Sequence, residues 1–417
     1  MSLLVNTVFL ILVGQLNMLQ ALLPITSNDM ATEETPSFLC KLKFLQILDL
    51  SDNQLSGPIP RCLGNFSNSL SVLKLRGNNF HGTIPFEFPK GNSLRTFDLN
   101  GNKLTGQLPK SLVNCLKLEV LDFGNNQIED TFPHWLGSLP ELQVLVLRAN
   151  KFHGSIGRPE IDASFAKFSI IDLSFNNFTS KLPAEYFSSW KAMAIGNKNK
   201  SEAKYVGDGY YQDSVTVMNK GLEMKLVRIF TVFKAIDFSH NRFEGEIPEI
   251  LGNLGSLIVL NLSSNSLTGS IPPSFGKLTS LESLDLSGNK LAGRIPPELR
   301  SLTFLAVLNL SNNLLEGLIP QGLQFDTFTN NSYEGNLGLC GFPLSKRCED
   351  DVVVDHSPPM ETEDSGSEFD WTAMSIGFGC GLAIGVVTGI IILWNELEYL
   401  VRTIRIKYPI SRKQSIN

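Results

Sequence analysis

Six aspartates recur along the chain, Asp49, Asp98, Asp122, Asp172, Asp237 and Asp285. Paired carboxylates can do acid–base chemistry when one stays protonated beside an ionised partner. The spacing of these six instead makes them a row on the outward face of successive strands, one per structural unit. Ion pairing or hydration accounts for such a row. The histidines, His81, His134, His153, His240 and His356, lie in turns, at their edges, or in an acidic stretch. No H-E-x-x-H, G-x-S-x-G or phosphate-binding loop occurs, so neither catalysis nor a cofactor is expected. Six cysteines in 417 residues do not make a disulfide-dense scaffold. Cys340 and Cys348 are close in sequence. They could pair or bind a metal, but no second pair or histidine lies nearby to complete a metal site. The net charge is −6, with no basic block, which argues against nucleic acid.

The elements behind these residues come from a repeat. Leu284, Leu286, Asn289, Leu291, Gly293, Ile295 and Pro296 define a frame that occurs ten times. Its asparagines are Asn53, Asn78, Asn102, Asn126, Asn150, Asn176, Asn241, Asn265, Asn289 and Asn313. Most steps are 24 residues, and one is 65. The L-x-L stretch predicts a short strand with leucines inward and the intervening residue outward. The asparagine amide can satisfy backbone groups where the chain leaves the strand, and stacked copies would form a ladder. Glycine permits a tight turn, and Ile-Pro begins the return segment. One repeat cannot bury its apolar face alone, so neighbours must stack into a solenoid.

This frame resembles that of leucine-rich repeats. Its G-x-I-P ending, at Gly57-Ile59-Pro60, Gly82-Ile84-Pro85, Gly245-Ile247-Pro248 and Gly317-Ile319-Pro320, resembles the plant extracellular class. The resemblance implies an α/β-type solenoid of mostly short parallel strands, twisted into a right-handed superhelix with an extra strand per repeat. Asp130 replaces the glycine in the fourth repeat, and Gly157 replaces the proline in the fifth.

The chain divides into segments. Residues 1–35 are a possible signal or remnant, with an apolar Leu3–Val13 but no Lys or Arg before Lys41. Pro36–Cys40 looks like the tail of a repeat whose front is missing. Six repeats occupy 36–183 and four occupy 234–325. Between them, 184–233 is an insertion. Its first part, through Lys200, is polar. Its second part alternates like a strand, and Asn219-Lys220-Gly221 could turn it into another. A tolerated surface loop and a binding element are both open readings, and the aromatic and basic content favours binding. Residues 326–348 read as a cap for the open apolar end, and 349–370 as an acidic, extended spacer.

Trp371–Trp394 contains no charged residue and is long enough to span a bilayer, with tryptophan at each end. Arg402, Arg405, Lys407, Arg412 and Lys413 follow it. The positive-inside rule then places the 395–417 tail in the cytosol and the repeats outside, at the plasma membrane. Gly377, Gly381, Gly385 and Gly389 recur every four residues, a face on which another helix can pack closely. Six N-x-S/T sequons occur, at Asn65, Asn177, Asn199, Asn261, Asn309 and Asn330. Asn261 and Asn309 sit between strand leucines and would project from the concave face.

Repeats, a split before the last four repeats, cysteine cap, acidic spacer, glycine-patterned helix and short basic tail occur in the order of the plant leucine-rich-repeat receptor-like proteins. The chain resembles that kinase-less family, and in particular members that detect fungal pathogens. The resemblance implies a Cys340–Cys348 disulfide and an extracellular peptide, protein or glycan ligand. It also implies an adaptor receptor kinase bound through the membrane helix, and a co-receptor kinase recruited on ligand binding. A developmental receptor has the same architecture. A non-signalling binder, decoy or inhibitor is the third reading, and the glycine-patterned helix argues against it.

Outward strand positions separate the repeats. The late ones are uniform: Asp237/Ser239, Asn261/Ser263, Asp285/Ser287, Asn309/Ser311. The second to fifth vary: Lys74/Arg76, Asp98/Asn100, Asp122/Gly124, Val146/Arg148. Varied chemistry on a regular scaffold suits recognition. Lys74, Arg76, Asn100, Asp122, Val146 and Arg148 are therefore the expected ligand surface.

Overall fold

A computed structural model describes residues 10–11, 45–65, 69–85, 87–157, 165–194, 205–207, 211–322 and 324–348. The remaining parts of 1–44, the spacer 349–370, the expected membrane helix 371–394 with Gly377, Gly381, Gly385 and Gly389, and the tail 395–417 lie outside the described residues. Among the described residues no helix is long and apolar enough to cross a membrane.

Ten three-residue strands, from Ile47–Asp49 to Val307–Asn309, form one long parallel sheet. A two-residue strand, Leu10–Ile11, pairs antiparallel with its first member. Register is strict, with each middle leucine or its equivalent opposite the next: Leu48, Leu73, Phe97, Leu121, Leu145, Ile171, Ile236, Leu260, Leu284 and Leu308. All ten are buried. The extra strand per repeat is present. Three shorter parallel sheets run along the second edge, beginning at Ser56–Pro58, His153–Ser155 and Ala292–Gly293. The first of these sheets ends at Gln127–Ile128, in the repeat that carries Asp130, and the next begins at His153; one backbone bond still joins the two repeats there, His153 N–H donating to the Asp130 carbonyl at 2.9 Å. Return segments are mostly single 3-10 turns such as Lys110–Asn114 and Glu249–Asn253, so the helical share of the fold is small.

The asparagine ladder runs as the repeat predicts. Asn126 Nδ2 donates to the carbonyls of Leu99 (3.0 Å), Phe123 (3.2 Å) and Gly124 (3.0 Å), and its Oδ1 accepts from Leu104 N–H at 3.0 Å. One side chain thus satisfies four buried backbone groups in two neighbouring repeats. Across the 65-residue step the ladder is unbroken: Asn241 Nδ2 donates to Leu173 O and its Oδ1 accepts from Phe178 N–H, both at 3.0 Å. An eleventh rung was not evident in the sequence. Asn336 donates to Leu310 O (3.0 Å) and Tyr333 O (2.9 Å), and accepts from Leu315 N–H. The cap is therefore a shortened repeat in which Tyr333 stands where the frame has leucine. The Cys340–Cys348 disulfide closes it.

The residue before each rung is left-handed. Asp52, Asn125, Ala149, Phe175, His240, Ser264 and Asn312 all have φ between 51° and 56°. Ala149 and Phe175 carry the cost of that conformation without the local hydrogen bonding that asparagine offers.

The start of the insertion differs from expectation. Ala184–Ser189 and Lys191–Ala194 are short helices that serve as the return segment of the sixth repeat. Tyr186, Phe187, Trp190 and Met193 are buried in the main core, and Met193 O accepts from Ser256 N–H at 2.9 Å. The stretch reads as polar, but its apolar residues fall at helical spacing and turn inward.

Candidate functional site

The second part of the insertion, the island, is a β-hairpin. Val215–Asn219 pairs antiparallel with Leu222–Leu226. The two turn residues, Lys220 (φ 55°) and Gly221 (φ 75°), are both left-handed, which suits the twist of a two-residue hairpin loop.

The hairpin lies on the face of the long sheet. Val206, Val215, Val217 and Ile229 form one buried cluster with Val120, Val144, Val146, Ile170, Ala235 and Val259 of the sheet. Covering each such valine contributes about 1.5–3 kcal/mol. Polar contacts fix the position. Tyr211 Oη donates to Asp49 Oδ2 (2.6 Å), Thr96 Oγ1 donates to Asp213 Oδ2 (2.8 Å), and Arg76 Nη2 donates to Thr216 Oγ1 (3.1 Å). Arg148 Nη1 meets Glu223 Oε1 at 3.3 Å, and at the hairpin tip Lys220 Nζ meets Glu282 Oε2 at 3.1 Å. Lys74 Nζ sits 5.2 Å from the Tyr211 ring centroid.

This geometry corrects the expectation of an open surface on the second to fifth repeats. Lys74, Asn100, Asp122 and Val146 are buried, and Arg76 and Arg148 are half-buried. Arg76 and Arg148 hold the hairpin, Lys74 faces Tyr211, and Val146 belongs to the shared apolar cluster. Asn100 Nδ2 donates to Asp122 Oδ1 at 2.8 Å. The physical reason lies one residue before each strand leucine, at Val72, Thr96, Val120, Val144, Ile170, Ala235 and Val259. An outward row this apolar needs a cover. The row is visible in the sequence and was the missed signal.

The aspartate row is also buried where the island lies. Burial pushes Asp98 up to about 7; the neighbouring Asp122 adds to the rise and Lys74 opposes it. Burial likewise raises Asp172 to about 7, with Asp237 adding and Arg148 opposing. Asp122 and Asp237 are raised by the same desolvation. Island residue Asp213 rises to about 6 through burial, against the pull of Lys74. Lys234 falls to about 8 on burial, with its Nζ donating to Ser169 Oγ and Thr231 O. Under the island the row is thus buried, not fully hydrated. Among the described residues, no group of three or more His, Cys, Asp or Glu could hold a metal ion.

Where the island runs past its seat on the sheet it leaves apolar side chains open: Leu222 is 71% exposed and Val227 73%, with Met224 and Val232 also exposed, beside exposed Glu223, Lys225 and Arg228.

Models for the leucine-rich repeat match residues 92–152 and 234–291, and a second such model matches 44–66 and 304–325. Receptor-like protein 53 of Arabidopsis thaliana is 49% identical over 383 residues, 89% of this chain and 39% of that protein. Receptor-like protein 32 of Arabidopsis thaliana is 47% identical over 384 residues, 90% of this chain and 44% of that protein. The chain belongs to the plant leucine-rich-repeat receptor-like proteins. It spans less than half the length of these two receptor-like proteins. Among solved structures, the PEPR1–AtPEP1 complex matches with a TM-score of 0.57 and 28% identity over 74% of this chain and 40% of that one. The plant peptide hormone receptor RGFR1 in complex with RGF2 matches with a TM-score of 0.50 and 30% identity over 69% of this chain and 43% of that one.

On this receptor-like chain the sequons fall into different settings. Asn177, on a second-edge strand, and Asn330, in the cap, are exposed. Asn261 and Asn309 are half-buried on the face of the long sheet, where their Nδ2 atoms donate to Asp237 (3.2 Å) and Asp285 (3.3 Å). Asn65 ends the turn Arg61–Asn65, and Asn199 lies outside the described residues.

Proposed function

We propose that the chain is a ligand-sensing, membrane-anchored receptor-like protein of plant defence that signals through an associated receptor kinase. The single observation behind this reading is the combination of repeats, docked island and cysteine cap in a chain 47–49% identical to receptor-like proteins. The ligand, an extracellular peptide, protein or glycan, meets the exposed island side chains Leu222, Met224 and Val227. Lys74, Arg76, Asn100, Asp122, Val146 and Arg148 then act on it from beneath, by positioning the hairpin. The charge-free Trp371–Trp394 segment anchors the protein as a single-pass helix with its C-terminus in the cytosol. Its glycine face, Gly377, Gly381, Gly385 and Gly389, packs against the helix of an adaptor kinase. A co-receptor kinase joins when ligand is bound. Glycans on Asn177 and Asn330 leave the island open.

The test is affinity capture of the full chain from plant membranes. A receptor kinase should co-purify with it, and should be lost when Gly381 and Gly385 are both replaced by leucine. Unchanged association in that variant would remove the proposed mechanism. A second reading, a peptide receptor in development, is favoured by the similarity to the plant peptide hormone receptor RGFR1 in complex with RGF2. The ligand recovered in the same capture separates the two.

A further inference from the structure

The island covers carboxylates that face each other. Parallel in-register pairing sets Asp98 directly opposite Asp122, and Asp172 opposite Asp237. Neighbouring strands are about 4.8 Å apart, so each pair is two acids at close range. All four are nearly inaccessible to water. The compensating charge is sparse. Lys74 Nζ lies 3.8 Å from Asp98, and Arg148 Nε 4.0 Å from Asp172. Arg76 also faces the first pair, but its Nη2 bonds to Thr216 and its buried Nη1 has no hydrogen-bond partner. Toward the pairs the island contributes Tyr211, donating to Asp49; Asp213, whose Oδ1 is buried without a partner; and Glu223, which shares Arg148. Of the cations on and beside the island, Lys220 meets Glu282, Arg228 bonds to Gln212, Lys234 bonds to Ser169 and Thr231, and Lys225 is exposed. Glu119 also bears on Asp213. Three solenoid cations, Lys74, Arg76 and Arg148, therefore serve two in-register acid pairs together with Asp213 and Glu223 of the island.

The geometry points to a proton-operated latch: the hairpin seats on the sheet while the pairs Asp98/Asp122 and Asp172/Asp237 hold protons, and loosens when both members of each pair ionise. Lifting the hairpin rehydrates the carboxyls and returns them toward ordinary acidity, so docking takes up protons. The sign follows. Acids raised from 3.8 to about 7 hold the docked state best below the ordinary carboxylate range, and that contribution is lost as the pH climbs toward about 7. Asp285, at the same strand position beyond this part of the row, is half-buried.

The test is hydrogen–deuterium exchange on the full chain at about pH 5 and about pH 8, corrected for intrinsic exchange. Amides of Val215–Leu226 should exchange about tenfold or more faster at the higher pH, while those of Ser283–Asp285 and Val307–Asn309 should not. The isosteric double variant Asp98→Asn with Asp172→Asn should flatten this response. Asp213→Asn, a change confined to the island, should reduce it and keeps the test available if the double variant folds poorly. Three outcomes overturn the latch: no acceleration in the hairpin, equal acceleration in the late strands, or a full response that survives in a folded variant.

Discussion

Strands two to seven and the last three strands share one repeat frame but treat their outward faces differently. Under the island, Lys74, Asp98, Asp122, Val146, Asp172 and Asp237 are buried. Beyond it, Asn261, Asp285 and Asn309 are half-buried at the same strand position. The first group combines sparsely compensated charge with valines from both elements. In the second, each asparagine bonds back to the aspartate of the preceding strand, Asn261 to Asp237 and Asn309 to Asp285. A regular scaffold thus becomes two surfaces through the row it presents, without changing its pitch.

The strongest challenge to this contrast is to bury a charge in the shared cluster. Val217→Asp should release the hairpin at a cost of at least about 3 kcal/mol, since an unpaired carboxylate cannot stay in that apolar site. Exchange protection should vanish over Val215–Leu226 and persist in the late strands. Loss in both would show that the island and the repeats fold as one unit.

The ladder gives the next effect, and one common to both regions. Asn126→Ala leaves several buried backbone groups unpaired and should cost on the order of 3 kcal/mol, read by chemical denaturation. Asn313→Ala, in the open half, should cost about as much, because its bonds to Leu286, Leu310 and Ser311 are equivalent. A large difference would mean the island supports the rungs beneath it.

Ala149→Gly should stabilise the protein by up to about 1 kcal/mol, by relieving a left-handed alanine. The same readout applies. Smallest is Lys220→Ala, which removes an exposed ion pair with Glu282 and should change stability by less than about 1 kcal/mol. A larger shift in hairpin protection would make the tip contact a principal tether.

The repeats could be read from the sequence because every rung carries the same local frame: Asn126 bonds to Phe123 and Gly124 of its own repeat and to Leu99 and Leu104 of the repeat before. Asn336 escaped notice because Tyr333 displaces the leucine that marks the frame. The hairpin and its turn were visible in alternation and in Lys220-Gly221. Its docking was not, because contacts such as Arg76 to Thr216 and Tyr211 to Asp49 join residues far apart in the chain. The apolar row that requires a cover was present, but pattern alone does not say what covers it. Trp190 and Met193 follow a helical spacing that Lys191 and the polar run after it obscure in the sequence.

The rung formed by Asn241 on Leu173 and Phe178 closes the solenoid beneath the insertion as if the two repeats were consecutive. The hairpin therefore hangs from a junction whose geometry is independent of its length. Exchange of residues 195–232 between related chains would graft a new hairpin without resetting the spiral, provided the incoming piece carries valines for the row it must cover. The surface the island presents and the architecture beneath it can then diversify at separate rates.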